Sequence, residues 1–171
     1  RLRPEDSQLL ESLRQASEGM VVQRAQRARS KDPRPNSQDL ERALLPLLVG
    51  RGFRHHERLE HPRTGEGFEY DFWHPEAELA VEIMGYRADD EVYKDILKFH
   101  VHPRTRVGVV WVPRWKWISG RRTPTNYKAT MKALRFAETY MNVESLVALT
   151  YDWGEPTSAG YPLRYELVEE P

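Results

Sequence analysis

Two acids carry the chemistry this sequence can be expected to do. Asp71 lies in "GFEYDFWHP" and Glu82 in "ELAVEIMG". Both runs read as β-strands, and a tight turn containing Pro75 joins them. A carboxylate inside an apolar strand is costly to bury unless it pairs with a cation or ligates a metal. If the strands form a hairpin, the two carboxylates converge on one point at the end of the sheet. Together with the main-chain carbonyl of Ile83 they form an oxygen donor set that suits Mg²⁺. Such a site can polarise a phosphodiester and generate a hydroxide nucleophile. Glu41, on the preceding helix, is placed to add a third carboxylate. A plainer reading pairs the two acids with arginines, and Arg54, Arg58, Arg63 and Arg87 are all available.

The elements that must position these acids follow from the apolar pattern. Residues 4–28 read as a helix, with Leu9, Leu10, Leu13, Ala16, Met20 and Val21 at helical spacing. "RAQRARSKDPRPNS" then reads as a basic linker, either a solvated tether or a phosphate-contacting arm. A second helix starts at Ser37, with Leu40, Leu44, Leu47 and Leu48 on one face and Pro46 expected to kink it. Two extended runs around Pro62-Arg63-Thr64-Gly65 read as a hairpin. On its second strand Phe68, Tyr70 and Phe72 share one face, and Glu69, Asp71 and Trp73 the other. Strand "ELAVEIMG", a helix over 88–101 and the buried strand "TRVGVVWVP" come next. The helix should present Val92, Ile96, Leu97 and Phe99 to the core. A basic aromatic loop, a helix over 126–141 and two more strands complete the chain. The expected fold is α/β: a mixed central sheet flanked by helices, with an N-terminal helical extension. Residues 1–36 read as that helix and linker, and residues 37–171 as the main domain.

The order of these elements resembles the PD-(D/E)XK nuclease superfamily, whose fold is restriction-endonuclease-like. The resemblance covers roughly residues 37–113 and is carried by "EYD" at 69–71, "AVEIM" at 80–84 and helix "DEVYKDILKFH" before strand "RVGVVWV". It implies that Asp71 is the metal-binding Asp, Glu82 the (D/E) and Glu41 the helix acid of some members. It also implies an endonuclease that hydrolyses DNA with Mg²⁺ or Mn²⁺, of type II restriction or defence kind. A homodimer would match the two-fold symmetry of palindromic sites. Tyr70 stands where the family has proline, and Met84 where it has lysine.

Methionine has neither the charge nor the donor to orient water or hold an anionic phosphate. Three readings of Met84 are open. Lys94 or Lys98, spaced i, i+4 on the next helix, reaches into the site; the metal does most of the work; or the site is inactive and the chain is a nuclease-fold DNA-binding or assembly module. Either lysine could instead be solvated and paired with Glu91 or Asp95.

Contacts to nucleic acid are expected from "PRWKWISGRR", where Arg114, Lys116, Arg121 and Arg122 alternate with Trp115 and Trp117, and from Arg87. The alternative places the tryptophans in the core. Among six histidines, adjacent His55 and His56 should point to opposite faces of a strand, and His74 is the one expected nearest the acids. No zinc spacing, P-loop or dinucleotide motif occurs, so no nucleotide cofactor is expected. The 26 basic and 26 acidic residues cancel, so affinity for phosphate must come from local clusters. The absence of cysteine fits a reducing cytoplasm, and no run is long enough to span a membrane. A chain beginning with Arg1 and not Met reads as a fragment, a processed form or the ordered part of a longer protein.

Overall fold

The computed structural model describes residues 1–25, 33–85, 89–118 and 121–170. Helix α1 (Pro4–Ser17) has a proline in its first turn and Glu5 and Asp6 beside its N-terminal dipole. It stops well before residue 28. Gly19 adopts φ 77°, its N–H bonds to Leu163 O at 2.7 Å, and Val21–Val22 (β1) pairs with the last strand. An open strand edge captures residues whose spacing alone favours continued helix. Helix α2 (Ser37–Gly50) starts in a capping box, in which Asn36 and Asp39 each take the other's N–H at 2.9 Å. It runs through Pro46.

Strands β2 (Arg54–Glu60), β3 (Gly67–His74) and β4 (Leu79–Ile83) form the expected antiparallel meander. Helix α3 (Asp89–Val101) crosses over to β5 (Val107–Pro113), which lies parallel beside β4. The basic aromatic segment, expected as a loop, contains a small hairpin of β6 (Lys116–Ile118) and β7 (Arg121–Thr123). Helix α4 (Thr125–Tyr140) crosses over to parallel β8 (Ser145–Trp153), and β9 (Tyr161–Glu169) returns antiparallel. The large sheet has the order β1-β9-β8-β5-β4-β3-β2. Among the described residues no helix is long and apolar enough to cross a membrane.

Two apolar layers cover the sheet. On one face Leu10, Leu13, Leu40, Leu44 and Leu48 pack on Phe72, Val81, Val109 and Val147. On the other, Ile96, Phe99, Leu134 and Ala137 pack on Ala80, Val110, Leu146 and Ala148. Leu97 is 46% exposed and does not join Val92, Ile96 and Phe99 in the core. Buried Asp6 takes two hydrogen bonds from Arg106, at 2.7 and 2.8 Å, which tie α1 to the start of β5.

Gly108 sets the depth at which α3 sits. A Cβ there would lie 2.5 Å from Phe99 Cδ2 and 2.9 Å from Leu146 Cδ2. Only a residue without Cβ lets Phe99 rest directly on β5, and this brings the preceding helix position, Lys98, close to the sheet.

The expected alternation along β3 fails at its middle. Tyr70 and Trp73 belong to the α3–α4 layer, and Phe72 to the α1–α2 layer. The constant β2–β3 register places Asp71 across from His56, which has φ 50°. A left-handed residue in one strand breaks the regular pleat there.

Candidate active site

The register pairing Phe72 with Val81 sets Asp71 across from Glu82 one step further along. The regular ladder ends at that step. Ile83 N–H donates to the Asp71 carboxylate at 2.7 Å, so a side chain does the work a neighbouring strand's carbonyl does elsewhere. Asp71 lies inside β3, not at its end. The two carboxyl groups face each other closely enough for each to act on the other's charge. Burial, opposed in part by the Ile83 N–H, raises the Asp71 pKa, with the charge of Glu41 adding to the rise. Burial first, and then the charge of Asp71, hold Glu82 well above the usual carboxylate range. Two acids that cannot both ionise readily form a donor set that a divalent cation would relieve.

The cation beside them is Lys98. Its Nζ lies 3.1 Å from Glu82 Oε1 and 3.3 Å from Asp95 Oδ1. Burial works against its charge, but the two carboxylates outweigh it and the pKa is raised. The ammonium thus sits between Glu82 of β4 and Asp95 of its own helix. Tyr70, immediately before Asp71, fixes the helix from below: its hydroxyl donates to Lys98 O at 2.7 Å and lies 3.0 Å from Thr105 Oγ1. Burial pushes the Tyr70 pKa up to about 12, so it stays a donor. Asp95, considered in the sequence only as a surface partner for lysine, is buried and completes the cluster.

Lys94 is exposed. Met84 is 1% exposed and packs with α3 and α4, its sulfur 4.0 Å from Thr130 Oγ1. Of the arginines offered as alternative partners for the acids, Arg54 pairs with Glu57 at 3.3 Å and Arg58 lies against Gly67. Arg63 is in the β2–β3 turn, and Arg87 falls outside the described residues.

Glu41 is half-buried and engaged by two histidines. His55 Nε2 and His56 Nε2 lie 2.8 and 2.6 Å from its Oε1. The expectation that adjacent histidines diverge fails because φ 50° at His56 turns its ring back, and the rings stack with centroids 3.7 Å apart. His74, expected nearest the acids, instead packs edge-on against Phe53 and accepts Ala77 N–H at 3.1 Å.

The basic aromatic segment is partly neutralised by acids of β8 and β9. Arg114 pairs with Glu166 at 2.8 Å, Arg122 pairs with Asp152, and Trp115 Nε1 donates to Glu166 at 3.1 Å. The Arg122 guanidinium lies 4.6 Å from the Trp115 ring centre. Arg121 is exposed at the start of β7, and Lys116 and Trp117 lie on β6.

A family model described as "Putative halobacteria restriction endonuclease" matches residues 50–151. That span is more than half of the chain and includes Asp71, Glu82 and Lys98, with Glu41 outside it. No curated protein and no solved structure matches the chain.

Proposed function

The chain belongs to the family described as "Putative halobacteria restriction endonuclease", and from that premise we propose that it is a metal-dependent endonuclease acting on DNA. The observation that carries the proposal is the paired Asp71 and Glu82 carboxyls with the Lys98 ammonium 3.1 Å from Glu82.

In this reading Asp71 and Glu82, with the Ile83 carbonyl, hold Mg²⁺ or Mn²⁺. Such an ion, when bound, polarises a phosphodiester and lowers the pKa of its water. The protein's own groups do the rest. Asp71 is oriented by the Ile83 N–H. Glu82, its pKa raised by burial and by the charge of Asp71, would serve the ion as a carboxylate ligand. Lys98, held between Glu82 and Asp95, supplies the fixed positive charge and the donor that Met84 lacks, close to where an anionic phosphate would meet the carboxylates. A helix lysine thereby takes the part that the strand position has lost. Arg121, Lys116 and Trp117 on the β6–β7 hairpin are proposed to contact the DNA backbone and bases. A two-fold dimer is proposed for palindromic targets.

Incubation with plasmid DNA and Mg²⁺ tests the proposal. The wild-type protein should cleave and Glu82→Ala should not. DNA binding without cleavage by the wild type would favour an inactive nuclease-fold binding module.

A further inference from the structure

We propose that Glu41, His55 and His56 form a second cation site, distinct from the Asp71–Glu82 pair, that takes a first-row transition ion of the Zn²⁺ type. The three ligand atoms lie within 4.8 Å of one another. Two imidazole nitrogens and one carboxylate oxygen form a borderline donor set, preferred by Zn²⁺, Co²⁺ and Ni²⁺ over Mg²⁺. Asp71 and Glu82 offer oxygen alone, which suits the harder ion.

The local fold supports the arrangement. Neighbouring strand residues would normally send their rings to opposite faces. The left-handed conformation of His56, uncommon for a residue with a side chain, instead stacks the two rings and aims both Nε2 atoms at one oxygen. A tetrahedral ion with bonds of about 2.0–2.2 Å sets its ligand atoms roughly 3.4 Å apart. The present separations of 2.8 and 2.6 Å need open by less than about 1 Å to admit it. The other nitrogen of His56, Nδ1, lies 3.8 Å from Glu69 Oε1, beyond hydrogen-bond reach. With three protein ligands, a fourth position remains for water or another oxygen donor. The charge of Glu41 is felt at Asp71, so the two sites are electrostatic neighbours.

Calorimetric titration with Zn²⁺ in excess Mg²⁺ tests the inference. The excess keeps the all-oxygen site from contributing. Wild type should bind one Zn²⁺ per chain. The double variant His55→Gln/His56→Gln should lose affinity by on the order of 100-fold or more, beyond what a change behind the ligands causes. Asp71→Asn should still bind one Zn²⁺ per chain, with a change in affinity far smaller than that of the double variant. A measurement on the wild-type protein guards against misfolded variants: in NMR spectra Zn²⁺ should shift the ring signals of two of the six histidines, assigned to His55 and His56. Absence of Zn²⁺ binding, unchanged affinity in the double variant, loss of Zn²⁺ in Asp71→Asn, or shifts confined to other histidines would each overturn the inference. Failure of the nuclease reading leaves these Zn²⁺ results unaffected, so the two can fail separately.

Discussion

The Lys98 ammonium stands 3.1 Å from Glu82 Oε1 across a helix–strand contact, although the residues are 16 positions apart in the chain. Gly108 makes this approach possible from one side, by letting Phe99 rest on β5. Tyr70 secures it from the other, through its bond to the Lys98 carbonyl. The lysine is therefore positioned by the packing of α3, not by the strand that carries the acids.

Removing that ammonium should cost activity. Lys98→Ala is expected to lower the cleavage rate by about 10²–10³, as loss of a fixed donor at developing charge does elsewhere. Lys94→Ala should leave the rate unchanged, because Lys94 is exposed. Single-turnover cleavage, with melting curves run alongside, separates the catalytic loss from any loss of folded protein. Equal losses for the two variants would contradict the assignment.

Restoring lysine at position 84 should not help. The Met84 side chain is buried with α3 and α4, so Met84→Lys places an ammonium among apolar groups. Urea denaturation should show a loss of roughly 2–4 kcal/mol, against less than about 1.5 kcal/mol for Met84→Leu. A Met84→Lys protein that is stable and cleaves faster would show that this position still addresses the site.

The juxtaposition of Asp71 and Glu82 is legible in the sequence, and the position of Lys98 beside them only in part. Glu82 stood out as the single interior charge of an apolar strand, and the short turn at Pro75 tied it to Asp71. Lys94 and Lys98 share a helix face, so spacing could not choose between them; the docking depth of α3, which depends on Gly108, does. Nothing in "RHHERLE" signals a left-handed histidine at position 56, and that one dihedral redirects a whole ring. The same irregularity upsets the alternation expected along β3. Helix α1 ends sooner than spacing predicts because Met20 and Val21 keep helical spacing, whereas the edge of β9 claims them. The β6–β7 hairpin leaves no signal in the pattern: its strands are short, basic and not alternating.

Gly108→Ala probes the packing directly. The added Cβ would meet Phe99 and Leu146 at 2.5 and 2.9 Å. A stability loss of about 1–3 kcal/mol is expected, with slower cleavage as α3 is pushed outward. Adding Phe99→Leu should recover part of both losses. No recovery in chemical denaturation or cleavage would show that Phe99 does not set the helix position.

Metal and pH should be linked through the acid pair. Asp71 and Glu82 have folded pKa values raised above their ordinary 3.8 and 4.5. A raised acid keeps its proton in the folded state after the unfolded chain has lost its own. The stability from this pair is thus fully present below the ordinary values and is lost as pH rises through the folded ones. Mg²⁺ replaces the proton, so its gain in melting temperature should be larger at about pH 8 than at about pH 5. At a hundred-fold excess over Kd the stabilisation should be about 2.7 kcal/mol. Differential scanning calorimetry of the wild type and Glu82→Gln checks this: the variant should show little gain at either pH. A gain independent of pH, or retained in Glu82→Gln, would place the metal elsewhere.

If Asp71, Glu82 and Lys98 together make a working nuclease, plasmid and genomic DNA from several sources should be broken when Mg²⁺ or Mn²⁺ is titrated in. The wild type should cleave in proportion to bound metal, and Glu82→Gln should not, although that protein remains folded. Intact DNA at every metal concentration with folded, DNA-binding wild-type protein, or undiminished cleavage by Glu82→Gln, would contradict that role.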